Sequence, residues 1–491
     1  MRKYNFIFFT FLSRRLVTPQ ACKGGINILL AFLCVGGLFF AFSIAYAIEV
    51  GGHLTEDTIW GPENNPYLVT GGIYVDVGVT LTILPGTIVK LNAALFDAAG
   101  DDDFYFSGGE EPVAKFIRVD GRIIAEGTEQ DSIIFTRLQD EQYFHWGTVY
   151  LPENAQPSRF SYCLFEFSAF TGFSLAEQPH GGISMWNGSA KIEKCAFIDN
   201  DTAIYIRNNV TDIQIIKNYF DYYEYPHPNI IHISGMDFIG IHYIFNTDIG
   251  SPLIAGNIFM HGTATYSSKS MYFVDNSIES VTFYRDAIYM SSTYGKSYFY
   301  NNEIGSCSTG INSFSTGTDS LYIKNNYFAT NGGEGIEIDN AYVEVSDNYF
   351  EGCDLYTEYT TGKIWNNISN NGEIWTPGEI EVYNNICYNN VGYGLKVGYN
   401  PYCVNNISIN NEYDIWSATV SYENCIIINN EELTQHVING NPVFRNCIID
   451  FELEYPLIDG GGNIIIDSLQ AQQIFQDIQN GDFHLIEGSL A

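Results

Sequence analysis

From about residue 50 onward, apolar and polar side chains alternate over short runs, and Asn, Asp or Gly separates one run from the next. Gly335-Ile-Glu-Ile338, then Asp339-Asn340, then Val343-Glu-Val345, then Asn348-Tyr-Phe350 is one such unit. Alternation at period two predicts strands, so the unit holds three short strands before the pattern returns. The return is marked by Asn or Cys, any residue, then a bulky apolar residue. These anchors begin at Cys163, Cys195, Asn218, Asn257, Asn276, Asn302, Asn326, Asn348, Asn366, Asn384, Asn405, Asn424, Asn446 and Asn463. Their mean spacing of about 23 residues is shorter than the roughly 34 to 47 of helical repeats and fits one turn of a β-solenoid. Five residues further on runs a second polar series: Asn200, Cys307, Asn331, Cys353, Asn371, Asn389, Asn410 and Asn429. Coils stacked about 4.8 Å apart place like residues over one another, so amides at equivalent bends can satisfy one another as ladders. The predicted fold is all-β: a right-handed parallel β-helix with three short strands per coil, roughly 60 Å long over the anchored coils.

Several phrases then resemble a known superfamily. Val79-Thr-Leu-Thr-Ile-Leu-Pro-Gly-Thr-Ile-Val-Lys90, Gly121-Arg-Ile-Ile-Ala-Glu-Gly-Thr128, Ile133-Ile-Phe-Thr136 and Ser161-Tyr-Cys-Leu-Phe-Glu166 are similar to the opening coils of secreted bacterial proteins with the pectin-lyase-like fold. The resemblance spans nearly all of residues 50–491. It implies the scaffold and not an activity, since one fold hosts many functions. Gly481-Asp-Phe-His-Leu485 with Gly488-Ser489 resembles the motif with which such helices enter a final coil or a sorting domain. Because a solenoid edge needs a cap, the reading is a leader at 1–47, an N-terminal cap at 48–73, and a β-helix at 74–491 truncated at its C-terminal end.

Composition narrows the partners. The chain has 57 Asp and Glu against 22 Lys and Arg in 491 residues, a net charge of −35. Nucleic-acid binding, which needs cationic surface, is excluded. The first 47 residues hold no acid and five bases, Arg2, Lys3, Arg14, Arg15 and Lys23, followed by an apolar run over 26–47 that ends Ala45-Tyr46-Ala47. This reads as an export signal with a small-x-small cleavage site, or as an uncleaved membrane anchor. Either places the acidic body outside the cytoplasm, secreted or at the cell surface, with the membrane touched only through this segment.

Two of the ten cysteines lie in the leader. Cys163, Cys195, Cys307 and Cys353 occupy ladder positions and are expected as buried thiols. Cys425 and Cys447 follow their anchors by one, on outward parity in consecutive coils, within the Cα separation a disulfide can bridge. His227, His232, His242 and His261 lack a tight ligand spacing and read as turn and surface residues rather than a metal site. Asp101, Asp102, Asp103, Glu110 and Glu111 read as a solvated loop.

In the superfamily, polysaccharide lies on the outer face of the first sheet. With Ile183 and Met185, Ile204 and Ile206, Ile288 and Met290, Ile336 and Ile338, and Leu395 and Val397 inward, the outward residues are Trp186, Tyr205, Arg207, Tyr289, Glu337, Asp339 and Lys396. Tyr356, Glu358, Glu373, Trp375 and Trp416 join them from neighbouring coils. Tyr356, Trp375 and Trp416 are candidate sugar-stacking platforms. Glu337, Asp339, Glu358 and Glu373 are candidate Ca²⁺ ligands. Lys396 is the one base near the acids and the candidate catalytic cation of a lyase. Asn246-Thr-Asp248 is similar to the first polygalacturonase motif, but the rest of that set is missing, and its catalytic residues are not carried over. The expectation is an exported or cell-surface β-helix that binds carbohydrate or envelope polysaccharide without a recognisable catalytic set; the alternative is a Ca²⁺-dependent lyase or epimerase of uronate polymers.

Overall fold

The computed structural model describes residues 47–95, 114–140, 144–153, 155–168, 181–186, 188–200, 202–207, 213–221, 241–244, 253–259, 265–267, 271–278, 286–291, 295–314, 319–329, 333–398, 402–417, 420–428, 441–453, 457–471, 473–477 and 482–489. These form a parallel β-solenoid with three strands per coil, as the alternation predicts. Sheet one holds Glu334–Asp339, Asp354–Glu358, Ile374–Thr376, Tyr393–Val397 and Tyr413–Ser417 among its strands. Sheet two holds Tyr342–Ser346, Thr361–Trp365 and Glu379–Tyr383, and sheet three Tyr349–Glu351, Ile368–Asn370 and Ile386–Tyr388. Each strand pairs in parallel with its counterpart one coil on. Hydrogen bonding begins in the segment expected as a cap, where Ile48–Leu54 pairs with Tyr67–Val75.

The interior follows from the alternation. Every inward residue predicted on sheet one, from Ile183 to Val397, is buried. Sheet three stacks Phe135, Phe165, Phe197, Phe220 and Phe259 with ring centroids 4.6 to 5.1 Å apart, so one aromatic per coil fills the core at the pitch of the ladder.

The bend into sheet three is built from two residues with different tasks. The first takes a left-handed backbone: Asp275, Asn301, Asn325, Asp347, Asn366, Asn384, Asn405, Asn424 and Asn446 all have φ between 52° and 58°, a region Asn and Asp tolerate better than other non-glycine residues. The second is buried and carries the amide ladder, in which Oδ1 of one asparagine accepts from the main-chain N–H and the Nδ2–H of the asparagine one coil before. The ladder runs through Asn218, Asn257, Asn276, Asn302, Asn326, Asn348, Asn367, Asn385 and Asn406. Successive members are 18 to 39 residues apart, because the intervening loops absorb length while the bend does not.

This corrects the anchor positions from Asn366 to Asn446, whereas Asn463 holds the ladder position, accepting from the Cys447 main-chain N–H after the left-handed Gly462. In Asn366-Asn367, Asn384-Asn385 and Asn405-Asn406 the first asparagine turns the chain and the second is buried. Asn371, Asn389 and Asn410 are likewise turn residues, with φ of 54° to 59°; the buried positions after them are Gly372, Asn390 and Asn411. Asn331 and Asn429 lie outside the described residues.

The same shift reverses the reading of Cys425 and Cys447. They occupy the ladder position itself, are 1% exposed, and bond main-chain oxygens of Cys403 and Tyr422 as free thiols. The expected outward disulfide is therefore not formed. Burial pushes the Cys425 thiol well above its ordinary range, and a protonated, enclosed thiol is inert. All eight body cysteines are buried and free. Alkylation of the folded chain mapped by mass spectrometry should label none of these eight, and denaturant should expose all of them.

Sheet three's outer face carries Ile368, Ile386, Ile407 and Ile426, which would be anomalous on a wet surface. Ile466, Ala471, Ile474 and Phe475 cover them and form a second core with this column, and Phe483 meets Tyr388 edge-on at 4.8 Å. The Gly481–Leu485 phrase thus contributes Asp482–Leu485 to an antiparallel pair with Phe475–Asp477, folded back on the solenoid. Among the described residues no helix is long and apolar enough to cross a membrane; the basic and apolar leader lies outside them, apart from Ala47.

Candidate functional site

The register of sheet one sorts its outward residues into three columns. The central one reads Tyr289, Asn312, Glu337, Tyr356, Trp375, Lys396 and Trp416 on consecutive coils. One edge carries Phe314, Asp339 and Glu358. The other carries Asp286, Thr309, Glu334 and Asp354, continued by Glu373, which immediately precedes Ile374.

Tyr356, Trp375, Lys396 and Trp416 are brought together as the sequence predicts, but as a stack. The Tyr356 and Trp375 ring centroids are 4.5 Å apart, and Lys396 Nζ sits 3.3 Å from the centroid of Trp375. Trp375 is thus packed on both faces by its column neighbours. Trp416, whose ring is 5.5 Å from the same ammonium, ends the described column. Desolvation lowers the pKa of Lys396, opposed by the negative charges of Glu373 and Asp354. No carboxylate lies within ion-pair distance of it among the described residues.

The four expected Ca²⁺ ligands are spread over three columns. Asp339 and Glu358 are neighbours on one edge, where Tyr356 donates its hydroxyl to Glu358 at 2.6 Å. Glu337 is central and Glu373 lies on the far edge. Among the described residues no three His, Cys, Asp or Glu side chains are grouped to hold a metal ion. His227, His232, His261 and the 101–111 acids lie outside the described residues, as does the side chain of His242. Tyr205, expected outside, is 4% exposed: alternation assigns the side of a sheet, not whether that side is covered.

Of the Asp286 edge, only Glu373 is singled out by the sequence. Asp354 and Glu373 each reach one coil forward: Asp354 Oδ1 accepts from the Glu373 main-chain N–H at 2.7 Å, and Glu373 Oε1 accepts from that of Tyr393 at 2.8 Å. Asp286 does the same through the Asn312 amide at 2.9 Å. Burial, assisted by the charges of Glu373 and Glu334, pushes the Asp354 carboxyl up to about 6. Burial likewise raises Asp286 and Glu337. The signal was available: Asp286-Ala-Ile288, Thr309-Gly-Ile311 and Glu334-Gly-Ile336 repeat a polar, small, Ile phrase, which a one-residue register shift shortens to Asp354-Leu355. That shift hid the column.

A shallow hollow on sheet two, bordered by Glu381, Tyr383, Tyr402 and Asn405, holds one carboxylate, and Lys363 already pairs with it at 3.2 Å.

No known family matches the chain, and no curated protein matches it. Among solved structures it is similar to a mutant periplasmic alginate epimerase, with 8% identity over 84% of each chain and a TM-score of 0.25. It is also similar to the catalytic domain of a mutant α-1,3-glucanase in complex with nigerose, with 11% identity over 78% of this chain and 64% of that one and a TM-score of 0.22. The fold assignment rests on the strand register described above.

Proposed function

We propose that this chain is an exported β-solenoid of the pectin-lyase-like type that binds an extended polysaccharide along the outer face of sheet one. The observation that carries the reading is the unbroken outward column from Glu337 to Trp416, which adds the rings of Tyr356, Trp375 and Trp416 and the Lys396 ammonium, with Glu334, Asp339, Asp354, Glu358 and Glu373 along its edges. The coil spacing of about 4.8 Å is close to the length of one pyranose, so a linear glycan laid along the axis meets a new member of the column at about each sugar. Carboxylates accept from sugar hydroxyls, and the ring of Trp416 offers a face to a sugar's C–H surface. The leader supports export.

Affinity electrophoresis against neutral and uronate polymers tests the reading. Trp416→Ala should weaken binding by about 0.5–1.5 kcal/mol. Tyr402→Ala, on sheet two, should not change it. Failure of every polymer to retard the chain refutes the proposal.

One observation favours a second reading, a Ca²⁺-dependent uronate lyase or epimerase: the Lys396 ammonium lies in the field of the Glu373 and Asp354 carboxylates, though outside ion-pair distance of them. It requires chelator-sensitive appearance of unsaturated or epimerised product.

A further inference from the structure

The outer face of sheet two carries its own aromatic series, separate from the column on sheet one. Tyr272, Tyr298 and Tyr322 hold one register position on three consecutive coils, in the strands Tyr272–Val274, Gly295–Tyr300 and Asp319–Lys324. Their chain neighbours Phe273, Phe299, Leu321 and Ile323 are buried, which turns the three tyrosines outward. The rings lie 4.6 and 5.0 Å apart and are 9° and 14° from parallel. The interior stacks phenylalanine at the same pitch; here every ring is a phenol at the surface, with Tyr272 40% exposed.

We propose that Tyr272, Tyr298 and Tyr322 are an oxidative cross-linking site, at which hydrogen peroxide and a haem peroxidase join neighbouring rings as dityrosine and staple consecutive coils together. Coupling needs two phenols that remain side by side while both are oxidised, and the parallel register supplies that proximity without any rearrangement of the backbone. Rings this close and this nearly parallel bring the carbons ortho to their hydroxyls within reach of a slide of two surface side chains. Other outward tyrosine pairs are less well placed. Tyr327 and Tyr349 are 5.7 Å apart, Tyr322 and Tyr342 are 6.5 Å apart and tilted by 57°, and Tyr393 and Tyr413 are tilted by 32°. The eight body cysteines are buried free thiols, so no disulfide joins the coils, and a carbon–carbon bond between tyrosines would be a covalent tie of a different kind.

In the reaction each of two phenols gives one electron and its hydroxyl proton to the peroxidase, leaving two phenoxyl radicals. Their unpaired density reaches the ortho carbons, where a carbon–carbon bond forms. The two ortho hydrogens then leave as protons and both oxygens regain one, which restores two phenols. Hydrogen peroxide takes up the two electrons and two protons, its O–O bond breaks, and two waters result.

The test treats the full chain, dilute, with hydrogen peroxide and a haem peroxidase, and maps cross-linked peptides by mass spectrometry. Tyr272–Tyr298 and Tyr298–Tyr322 links are expected, each two hydrogens lighter than its separate peptides, with dityrosine fluorescence in the monomer. Tyr298→Phe keeps the stack and should lose both links; Tyr272→Phe should lose the first and keep the second. A link closes the chain between coils in the opened state as well as the folded one, so amide exchange at Phe273 and Phe299 should slow at least about tenfold after treatment. Absence of dityrosine in the monomer, links mainly between molecules or at other tyrosines, links at these coils that persist in Tyr298→Phe, or unchanged exchange after linking would each overturn the proposal.

Discussion

Replacing Asn348 by alanine should open the solenoid locally and lower its thermal midpoint. Asn348 Oδ1 accepts two bonds, from the main-chain N–H of Asn326 at 2.8 Å and from its Nδ2 at 2.9 Å. Both donors are buried and have no solvent to turn to. A buried donor left without its acceptor costs about 1–3 kcal/mol, so the pair loses roughly 2–4 kcal/mol after partial relaxation. Because a repeat protein unfolds by neighbouring units rather than strictly all at once, the informative measurement is hydrogen exchange. The Asn326 amide should lose roughly 30- to 1,000-fold of its protection. The amide of Asn218, four ladder members away, should change little. Asn348→Cys should cost less, since the chain itself places Cys195, Cys425 and Cys447 at equivalent bends. Equal protection in the alanine variant and the parent would show that the amides do not hold the coils in register.

The coil could be read from the sequence because two constraints recur along the described coils. Inward positions are mainly apolar, so Ile336, Ile338, Val343, Val345 and Phe350 announce three strands, while Ser313, Thr357 and Thr376 fill the inward column of Ile338 and Val397. The bend must place a tolerant residue in the left-handed region and a bonding one beneath it, so Asn, Asp and Cys recur. Where both bend residues are asparagine, as at Asn366-Asn367, composition cannot say which is buried, and the ladder was read one residue early. That single shift carried Cys425 and Cys447 to the wrong side of the sheet.

The central column was legible for the same reason as the core. Glu337, Tyr356, Trp375, Lys396 and Trp416 are the alternates of buried residues, and the register aligns them. Its chemistry was less so. Whether Trp375 shows a face or is sandwiched by Tyr356 and Lys396 depends on rotamers that alternation does not fix. The acidic edge depends on a register shift between Glu334 and Ile336 against Asp354 and Leu355. A period-two pattern has no place for such a shift.

The acidic edge should also make the fold more stable in mild acid than at neutral pH, and Asp354 should account for much of the difference. Its carboxyl is raised from the ordinary 3.8 to about 6, by burial first and by Glu373 and Glu334 next, against the opposing pull of the Glu373 N–H and Lys396. The folded chain therefore holds the proton more tightly than the unfolded chain, and stability falls as pH rises between the two values. The penalty is fully present above about pH 6, fades as pH drops through it, and is absent below the unfolded value near 3.8. Asp286 and Glu337 are shifted in the same direction by their own burial and add to the trend. For Asp354, which retains some exposure, the effect is about 1–2 kcal/mol. Asp354→Asn keeps an acceptor for the Glu373 N–H without the charge. It should raise the thermal midpoint at pH 8 and leave it nearly unchanged at pH 4, flattening the profile. A variant less stable than the parent at pH 8 would mean that the carboxylate is a net support of the coil.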